Sequence, residues 1–324
     1  MFRRKTRPRI DLNVKPWANR VTYLDSRIVL ITAIAASVVY LATVTAVDFA
    51  IYKHDTNNRF TRLVERIFPY PAVAVNRQVV PLSRFRKEVE AREYYSKQNQ
   101  LNIPQKDIEH LVATQLVDKA LYAQDLSNHH LTVSNKDIDA SLDTIYSQIG
   151  GKDKLNSFLA DKYGPDVTLT DFRQWIQESL VESAIQHNIL VQVSVQHILI
   201  SVPDNASADQ VEAARKKALD VKSKITSVDQ FGAIAKQYSE DVSSRDKDGQ
   251  LGTTVRGSDS PVYSADFENA IFTMPLHQVS DPIRSPFGWH LVIVDTRTGT
   301  VDKSMKDYTQ DLLNKAKWHI YIGK

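Results

Sequence analysis

Apolar residues along the chain form an N-terminal run, then helical spacings, then a mixture of strand and helix patterns. The run at residues 28–47 continues for twenty residues without a charge, about the length that a helix needs to cross a bilayer. A buried core helix rarely stays apolar on every face over that length. A cleaved signal peptide usually has a shorter apolar region that ends in small residues. We therefore expect an uncleaved transmembrane helix over residues 28–52.

Charges beside the apolar run indicate its orientation. Residues 1–27 contain eight Lys or Arg and two Asp or Glu, and the more basic flank of a membrane span lies in the cytoplasm. We expect a basic cytoplasmic tail over residues 1–27 and contact with the lipid bilayer through residues 28–52. The protein would then be single-pass in the cell membrane, with most of the chain extracytoplasmic. The remainder holds 33 basic and 36 acidic residues, which argues against nucleic acid as a partner.

The stretch after the span is predicted to be mostly helical. A polar juxtamembrane linker over residues 53–71 ends in paired prolines, and a short hairpin is expected at residues 72–80. Apolar side chains then recur at spacings of three and four, which predicts amphipathic helices up to residue 192. His129 and His130 are adjacent, but neighbouring residues face different sides of a helix and no third ligand is suitably spaced. We expect no metal site there.

The pattern changes to strands and helices over residues 193–297. His197 lies in a run of aliphatic residues that is typical of a strand, and a second such run ends near residue 294. Two amphipathic helices and a glycine-containing turn at residues 248–252 lie between these runs. This order is typical of a small α+β domain. A last helix with one apolar face is expected at residues 303–319, within a C-terminal segment over residues 298–324.

Composition excludes several classes of chemistry. The 324 residues include no cysteine, so disulfides, thiolate metal ligands and cysteine nucleophiles are excluded. A content of 42% hydrophobic and 24% charged residues is ordinary for a folded globular protein. Nothing in the pattern of residues indicates a metal or another cofactor, and we expect none.

Six ordered segments resemble the motifs of parvulin-type peptidyl-prolyl isomerases. The letters QHILI match the opening strand pattern xHIL, and FGAIAKQYSED matches FxxLAxxxSxD. The segments are residues 196–200, 231–241, 243–252, 266–272, 279–282 and 285–290. Asp248 and Gln250 depart from the family pattern, and a longer loop at residues 258–261 borders the expected substrate groove. The resemblance implies a parvulin domain with a small antiparallel sheet over residues 193–297.

The resemblance also implies which side chains act on an Xaa-Pro bond. Parvulins line the proline pocket with large apolar or aromatic residues and link two histidines through a hydroxyl group. The matching substrate-binding positions are Tyr263, Phe267 and Phe287, and the matching catalytic positions are His197, Asp241, Ser285 and His290. Taken singly, a strand His is more often a core residue, and an Asp before Ser-Ser often caps a turn. Their joint occurrence within six motifs favours a catalytic site.

The stretch at residues 72–192 resembles the N-terminal domain of SurA/PrsA/PpiD-like extracytoplasmic foldases. The resemblance rests on VAVN at residues 73–76 and VSNKDID at residues 133–139. It implies a helical SurA-N-like chaperone domain that binds unfolded secreted proteins and is completed by a returning helix at residues 303–319. The expected architecture is therefore α+β, with one N-terminal transmembrane helix, a mostly helical chaperone domain and a parvulin domain.

Three functions fit these predictions. The leading one is a membrane-anchored foldase that isomerises Xaa-Pro bonds in secreted or envelope proteins. A second is a holdase with an inactive parvulin fold, but such proteins usually lack the histidines or the Asp that this chain keeps. A third is a structural anchor, which predicts no binding to unfolded protein. The loop at residues 201–207 contains no Lys or Arg, so it lacks the cations that a phosphorylated substrate needs.

Overall fold

The protein is described by a computed structural model that covers two separate units. The described residues are 34–35, 37–42, 44–46, 50, 52, 59–68, 70–258 and 264–322. The chain divides into units between Leu63 and Val64. In the first unit, every described residue from 34 to 52 is helical. The predicted basic tail at residues 1–27 lies outside the described residues.

The structure overturns the predicted transmembrane helix over residues 28–52. Within the described part of the chain, no helix is both long enough and apolar enough to cross a membrane. The prediction rested on a run of twenty uncharged residues, but a membrane span also requires one continuous helix of about that length. The expected contact with a lipid bilayer and the membrane location depended on this helix and are withdrawn with it. Residues 28–33, at the start of the run, lie outside the described residues.

A helical region with a β-hairpin precedes residue 190. Its elements are α1 Arg59–Ile67, β1 Pro71–Val75, β2 Gln78–Pro81, α2 Leu82–Gln98, α3 Gln105–Asn128, α4 Asn135–Ile149, α5 Leu155–Tyr163 and α6 Leu169–Asn188. A 3₁₀ turn, Lys152–Lys154, lies before α5. The antiparallel pairing of β1 with β2 confirms the hairpin predicted at residues 72–80. Helix α1 lies inside the stretch predicted as a linker.

Capping boxes fix where two of these helices begin. Ser134 accepts a hydrogen bond from the Asp137 amide, and the Asp137 carboxylate accepts one from the Ser134 amide. Thr168 and Asp171 form the same arrangement at the start of α6. These caps satisfy amide groups that have no partner inside the helix. Behind them, apolar faces of α4, α5 and α6 form one core cluster that includes Leu142, Leu159, Phe172 and Ile176.

Residues 192–298 form a four-stranded antiparallel sheet with helices on both faces. The elements are β3 Gln192–Ser201, α7 Ala208–Lys224, α8 Phe231–Tyr238, β4 Gln250–Val255, α9 Ala265–Thr273, β5 Ile283–Ser285 and β6 Gly288–Thr298. The strand order is β4-β3-β6-β5. This topology fits the predicted α+β class with a small antiparallel sheet.

Alternation of side chains gives each face of this sheet its own core. On one face, Val195 of β3 and Val292 of β6 pack with Phe267 of α9. On the other face, Ile198 of β3 and Leu291 of β6 pack with residues of α7 and α8. Because successive side chains of a strand point to opposite faces, each strand contributes to both cores.

The C-terminal segment returns to the helical region. Helix α10, Met305–Lys315, lies against α3, where the Tyr308 hydroxyl donates to the Asp125 carboxylate. Strand β7, Trp318–Ile320, pairs antiparallel with β1 and completes a sheet of order β2-β1-β7. The predicted helix at residues 303–319 is therefore too long, because its last residues are extended and hydrogen-bond to a strand. A helical domain completed from the C-terminus requires such contacts, but the division into domains stays a prediction.

We expect Leu291→Ala to lower the free energy of unfolding of the four-stranded domain by about 2–5 kcal/mol, because removing a buried leucine side chain leaves a cavity. The matched control is Leu219→Ala on α7, where the leucine is 38% exposed and its loss should cost much less. Urea denaturation of the full chain, with hydrogen exchange of the β3 and β6 amides, measures this domain by itself. Equal losses of unfolding free energy in the two variants would contradict the burial of Leu291 in the core of the sheet.

Candidate active site

Two histidines on neighbouring strands share the face that packs against α9. His197 shares the face of Val195 on β3, and His290 shares the face of Val292 on β6. In the strand register, His197 pairs with Val292 and Leu199 pairs with His290, so the two rings lie diagonally across the strands. The rings stack with centroids 5.2 Å apart and an interplanar angle of 22°. Both side chains are buried.

Hydrogen bonds join the two rings to a carboxylate at one end and a hydroxyl at the other. Nδ1 of His197 lies 3.0 Å from Nδ1 of His290. Nε2 of His197 lies 2.8 Å from Oδ2 of Asp241, and Nε2 of His290 lies 2.6 Å from Oγ of Ser285. The Phe287 amide donates to Ser285 Oγ at 3.1 Å. The structure therefore brings all four predicted catalytic residues into one network.

The turn that follows Asp241 fixes its carboxylate. Oδ1 accepts hydrogen bonds from the Ser243 amide at 3.0 Å and from the Ser243 hydroxyl at 2.8 Å. Oδ2 accepts one from the Ser244 hydroxyl. Ser244 Oγ also lies 2.9 Å from Nε2 of His197. The carboxylate thus has partners at both oxygens, and His197 is one of them.

The network keeps Asp241 ionised and both histidines neutral. Partial burial opposes the charge of Asp241, but hydrogen bonds from Ser244, Ser243 and His197 outweigh it and hold the carboxyl pKa well below its usual range. Burial lowers the pKa of His197, although Asp241 offsets part of this effect. Burial, followed by the influence of His197, lowers the pKa of His290 to about 3. Near neutral pH the network therefore holds one anion and two uncharged rings.

These charge states fix the direction of every hydrogen bond in the network. An ionised carboxylate only accepts, so His197 donates from Nε2 to Asp241. Because His197 is neutral, its Nδ1 carries no proton and accepts from Nδ1 of His290. Nε2 of His290 then accepts from the Ser285 hydroxyl, whose oxygen accepts from the Phe287 amide. One chain of donors therefore runs from the Phe287 amide to the Asp241 carboxylate.

Two glycines allow backbone segments to approach the site closely. Gly249 has a φ of 79°, and a Cβ there would lie 2.4 Å from the carbonyl oxygen of His197. Gly288 has a φ of 152°, and a Cβ there would lie 2.1 Å from the carbonyl oxygen of Ile200. No side chain fits at such distances, so both positions require glycine. The strand of His197 and the β5–β6 turn depend on these two positions.

The predicted proline-pocket residues differ in their placement. Phe267 of α9 is fully buried and meets the His290 ring edge-on, with centroids 5.1 Å apart and planes at 78°. Phe287, in the β5–β6 turn, keeps 44% of its surface exposed. Tyr263 lies outside the described residues, as do residues 259–262 of the loop expected beside the groove. The described part of the site therefore has one buried and one exposed aromatic side chain.

Ser244 and Arg284 belong to the site but were not among the predicted residues. The buried Ser244 contacts both Asp241 and His197. Its position three residues after an Asp is typical of a turn cap, and this spacing was the available signal. Arg284 donates to the carbonyl oxygens of Ser285 and Gly288 and so holds the β5–β6 turn. No feature of the sequence distinguishes Arg284 from other surface arginines.

The arrangement differs from a hydrolytic serine site. Ser285 Oγ is next to a histidine, but the residue is only 3% exposed, and its oxygen already accepts from the Phe287 amide. A nucleophile must reach the substrate in order to attack it. Within the described ranges, no group of three or more His, Asp or Glu side chains is arranged to hold a metal ion. The burial and the hydrogen bonds of Ser285 therefore do not suit the role of a nucleophile.

We expect acid to remove the stabilisation that Asp241 contributes. The carboxyl pKa is lowered in the folded protein, so the contribution is present above the ordinary value of 3.8 and is lost as the pH falls below it. The difference in unfolding free energy between the unmodified chain and Asp241→Asn should therefore be largest at about pH 6, start to shrink as the pH falls below 3.8, and disappear only below the lowered folded pKa. Urea denaturation across this range measures the difference.

The matched control for this experiment is Asp246→Asn, which removes an exposed carboxylate from the same turn. Its unfolding free energy should follow that of the unmodified chain over the whole pH range. A difference between the unmodified chain and Asp241→Asn that has already disappeared at about pH 4 would contradict the lowered carboxyl pKa.

Comparison with known proteins identifies the region that holds this network. The family described as "Rotamase: PPIC-type PPIASE domain" matches residues 197–296. The foldase protein PrsA of Staphylococcus aureus is 30% identical over 177 residues, which cover 51% of this chain and 54% of that protein. The chain therefore spans about half the length of the curated relatives that it matches.

Two solved structures are also similar. PrsA from Bacillus anthracis is 21% identical, over 62% of this chain and 84% of that chain, with a TM-score of 0.29. NmPin, the parvulin of Nitrosopumilus maritimus, is 30% identical over 32% of this chain and 96% of that chain, with a TM-score of 0.25. Scores at this level do not establish a shared overall arrangement. Residues 197–296, which contain the complete histidine network, match the PPIC-type, or parvulin-type, peptidyl-prolyl isomerase domain family.

Proposed function

We propose that this chain is an extracytoplasmic foldase that catalyses cis/trans isomerisation of Xaa-Pro bonds in unphosphorylated segments of unfolded proteins. The observation that carries the proposal is the buried pair of His197 and His290, fixed by Asp241 and Ser285 beside the ring of Phe267. The family match over residues 197–296 and the PrsA relatives support it. The absence of cysteine is compatible with an oxidising compartment.

The reaction requires rotation about a bond with partial double-bond character. Amide resonance imposes a barrier of about 18–20 kcal/mol on this rotation, and an uncatalysed Xaa-Pro bond takes tens to hundreds of seconds to isomerise. No proton or leaving group has to be moved. A catalyst therefore needs only to favour the twisted amide over the planar one. Neutral histidines and a fixed anion provide a site whose charges do not rearrange during the rotation.

An aromatic wall gives the proline ring a place to bind. Phe267 is held edge-on against His290, so its own position is fixed before substrate arrives. Phe287 is 44% exposed, and its backbone amide belongs to the chain of hydrogen bonds. A pyrrolidine ring that packs on the exposed part of Phe287 leaves water, and the apolar surface that it buries stabilises the complex. Phe267 is fully buried, so a proline ring can contact it only after the site opens. Loss of water also weakens the solvation of the planar amide, whose resonance form is the more polar.

Asp241 provides the charge that we propose to act on the substrate carbonyl. Amide resonance places negative charge on the carbonyl oxygen, and a carboxylate facing that oxygen disfavours the resonance form. The bond to proline then loses double-bond character and rotates more easily. Asp241 stays ionised because Ser243, Ser244 and His197 donate hydrogen bonds to it, and its side chain remains 18% exposed. His197 and His290 hold this carboxylate in place and are not themselves charged.

The surroundings of the loop after β3 support an unphosphorylated substrate. Residues 201–207 contain no Lys or Arg. At the start of this loop, the Ser201 amide donates to the Glu240 carboxylate at 2.8 Å, and Lys217 is paired with Glu240. A phosphate dianion needs cations that are free to contact it and is repelled by carboxylates. Segments that carry no phosphate therefore fit this loop better.

A holdase with an inactive parvulin fold is the second candidate function. The observation that favours it is that both carboxylate oxygens of Asp241 accept hydrogen bonds from groups of the protein itself. A carboxylate with this many partners could serve only to stabilise the turn. The two candidates differ in one property, which is the rate of exchange at a prolyl bond.

We expect the full chain to accelerate cis/trans exchange of an unphosphorylated Ala-Pro peptide, measured by two-dimensional exchange NMR. Asp241→Ala should lower the acceleration roughly tenfold or more, which is the scale of loss when one fixed electrostatic group is removed from an active site. Asp246→Ala is the matched control, because it removes an exposed aspartate from the same turn. Its rate should equal that of the unmodified chain.

Circular dichroism of each variant establishes that it is folded. Full acceleration by a folded Asp241→Ala variant would remove Asp241 from the mechanism. No acceleration by the folded, unmodified chain would reject catalysis and leave the holdase as the better account.

A further inference from the structure

A cavity of about 530 Å³ opens in the helical region, outside the histidine network. It lies among α2, α3, α5, α6 and the loop between α2 and α3. Its apolar and aromatic lining consists mainly of Tyr95, Leu101, Ile103, Leu111, Tyr163 and Trp175. A volume of this size falls within the range of about 300–1,000 Å³ that is usual for ligand sites. None of the predicted catalytic or proline-pocket residues lines it.

Apolar side chains at this cavity are unusually accessible. Tyr95 is 38% exposed, Leu101 47%, Ile103 46% and Leu111 42%. Single exposed apolar residues are common, but several beside one cavity mark an interaction site. The group therefore offers apolar surface that a ligand can cover.

The aromatic part of the lining is rigid. The rings of Tyr95 and Tyr163 stack with centroids 6.3 Å apart, and Trp175 meets Tyr163 edge-on at 5.4 Å. Aromatic pairs with these geometries are mutually attractive. Three rings that fix one another lose little conformational freedom when a ligand binds, so they suit recognition of another large apolar side chain.

Positive charge adjoins this apolar surface. Among the charged residues at the cavity, Glu88 is paired with Arg84 and Lys119. Arg92 and Lys162 also line the cavity, and in the part of the chain that the structure describes neither has a carboxylate partner. The cavity therefore combines an apolar wall with two cations whose charge no described carboxylate balances.

Both cations are able to take an anionic partner. Arg92 donates to the side-chain oxygen of Gln115, but a guanidinium has five N–H groups and keeps donors available. The Lys162 ammonium lies 5.4 Å from the ring centre of Phe158 and 5.6 Å from that of Tyr163. Its side chain is exposed, so it is free to turn from the rings toward a carboxylate.

We propose that this cavity binds an extended peptide segment in which a large apolar side chain is followed by a carboxylate. The apolar side chain packs against Tyr95, Tyr163 and Trp175, and the carboxylate pairs with Arg92 and Lys162. The carboxylate belongs to an Asp or Glu side chain or to a chain end, because both present the same two oxygens to the cations. Such a site specifies the client segments of the proposed foldase, and in that respect it rests on the proposed function.

The test uses proline-free, fluorescein-labelled peptides whose binding to the full chain is measured by fluorescence anisotropy. The first probe is a Gly-Ser peptide with Phe-Asp-Leu at its centre and an amidated C-terminus. In the second, Asn replaces Asp. The third has the Asn sequence but ends in a free carboxylate directly after Leu. In the fourth, Ser replaces both Phe and Leu.

We expect the Asp probe to bind about three- to tenfold more tightly than the Asn probe, the scale of one partly exposed ion pair with good hydrogen bonds. Binding of the Asp probe should weaken as the salt concentration rises, and the Ser probe should not bind detectably. If the third probe binds more tightly than the Asn probe and about as tightly as the Asp probe, a carboxylate at the chain end can replace one on a side chain. If it does not, the site is restricted to Asp and Glu, still as proposed.

Variants of the protein locate the binding. Arg92→Gln and Lys162→Gln should each reduce the preference for the Asp probe over the Asn probe, and the double variant should abolish it. Lys216→Gln removes an exposed lysine from α7 of the other region and serves as the matched control. Equal affinity for the Asp and Asn probes, an unchanged preference in the double variant, or no binding of any probe would each overturn the proposal.

The two sites are tested separately. The Arg92→Gln, Lys162→Gln double variant should still accelerate exchange of the Ala-Pro peptide, and Asp241→Ala should still bind the Asp probe. An unmodified chain that isomerises the Ala-Pro peptide but binds none of the probes overturns the cavity proposal alone. A chain that binds the Asp probe but does not isomerise the Ala-Pro peptide overturns the isomerase and leaves the cavity proposal standing.

Discussion

The hydrogen bond from His197 to Asp241 determines the state of the whole site. Because the carboxylate is ionised and accepts this bond, the proton of His197 is at Nε2 and its Nδ1 accepts from His290. Because the proton of His290 is at Nδ1, its Nε2 accepts a hydrogen bond from the Ser285 hydroxyl. If Asp241 were protonated or absent, the remaining partner of Nε2 of His197 would be the Ser244 hydroxyl, which can donate or accept, so each later bond could reverse. A single anion at the end of the chain therefore orders three further side chains.

The fold supports this interaction by bringing distant segments together. His197 and His290 lie on adjacent strands and on one face of the sheet, whereas Asp241 follows α8 and Ser285 ends β5. The alternation of β3 and β6 places both rings in the core under Phe267. Burial in that core is what keeps the histidines neutral, because removal from water disfavours a charged ring. Packing and electrostatics therefore depend on the same strand register.

Local patterns in the sequence predicted part of this structure. The apolar runs around His197 and near residue 294 predicted β3 and β6, and the apolar spacings of three and four predicted the helices before residue 192. The residue roles were predicted from resemblance to parvulins, since no single His or Asp is distinguishable from a structural one. The structure places His197, Asp241, Ser285 and His290 within hydrogen-bonding distance, and their catalytic roles remain proposals.

Other features depended on tertiary contacts that local patterns do not encode. The predicted helix at residues 303–319 overlapped β7, whose residues are extended because β1 offers them a hydrogen-bonding edge. The contacts of Arg284 exist only once the β5–β6 turn has formed. The apolar run at residues 28–47 has the hydropathy of a membrane span, but no helix among the described residues meets the requirements for one. Hydropathy alone did not establish a continuous helix.

The most direct test of the account is the protonation of the two ring systems in the native chain. Long-range proton–nitrogen NMR of the nitrogen-15-labelled full chain distinguishes the two neutral tautomers from each other and from the charged imidazolium, and His290→Gln assigns the signals. We predict a proton at Nε2 of His197 and at Nδ1 of His290, with both rings neutral at about pH 7 and each ring becoming charged only at a lower pH than a free histidine does. Opposite tautomers, or an imidazolium signal from either ring at about pH 7, would contradict an anionic Asp241 that orders a neutral pair.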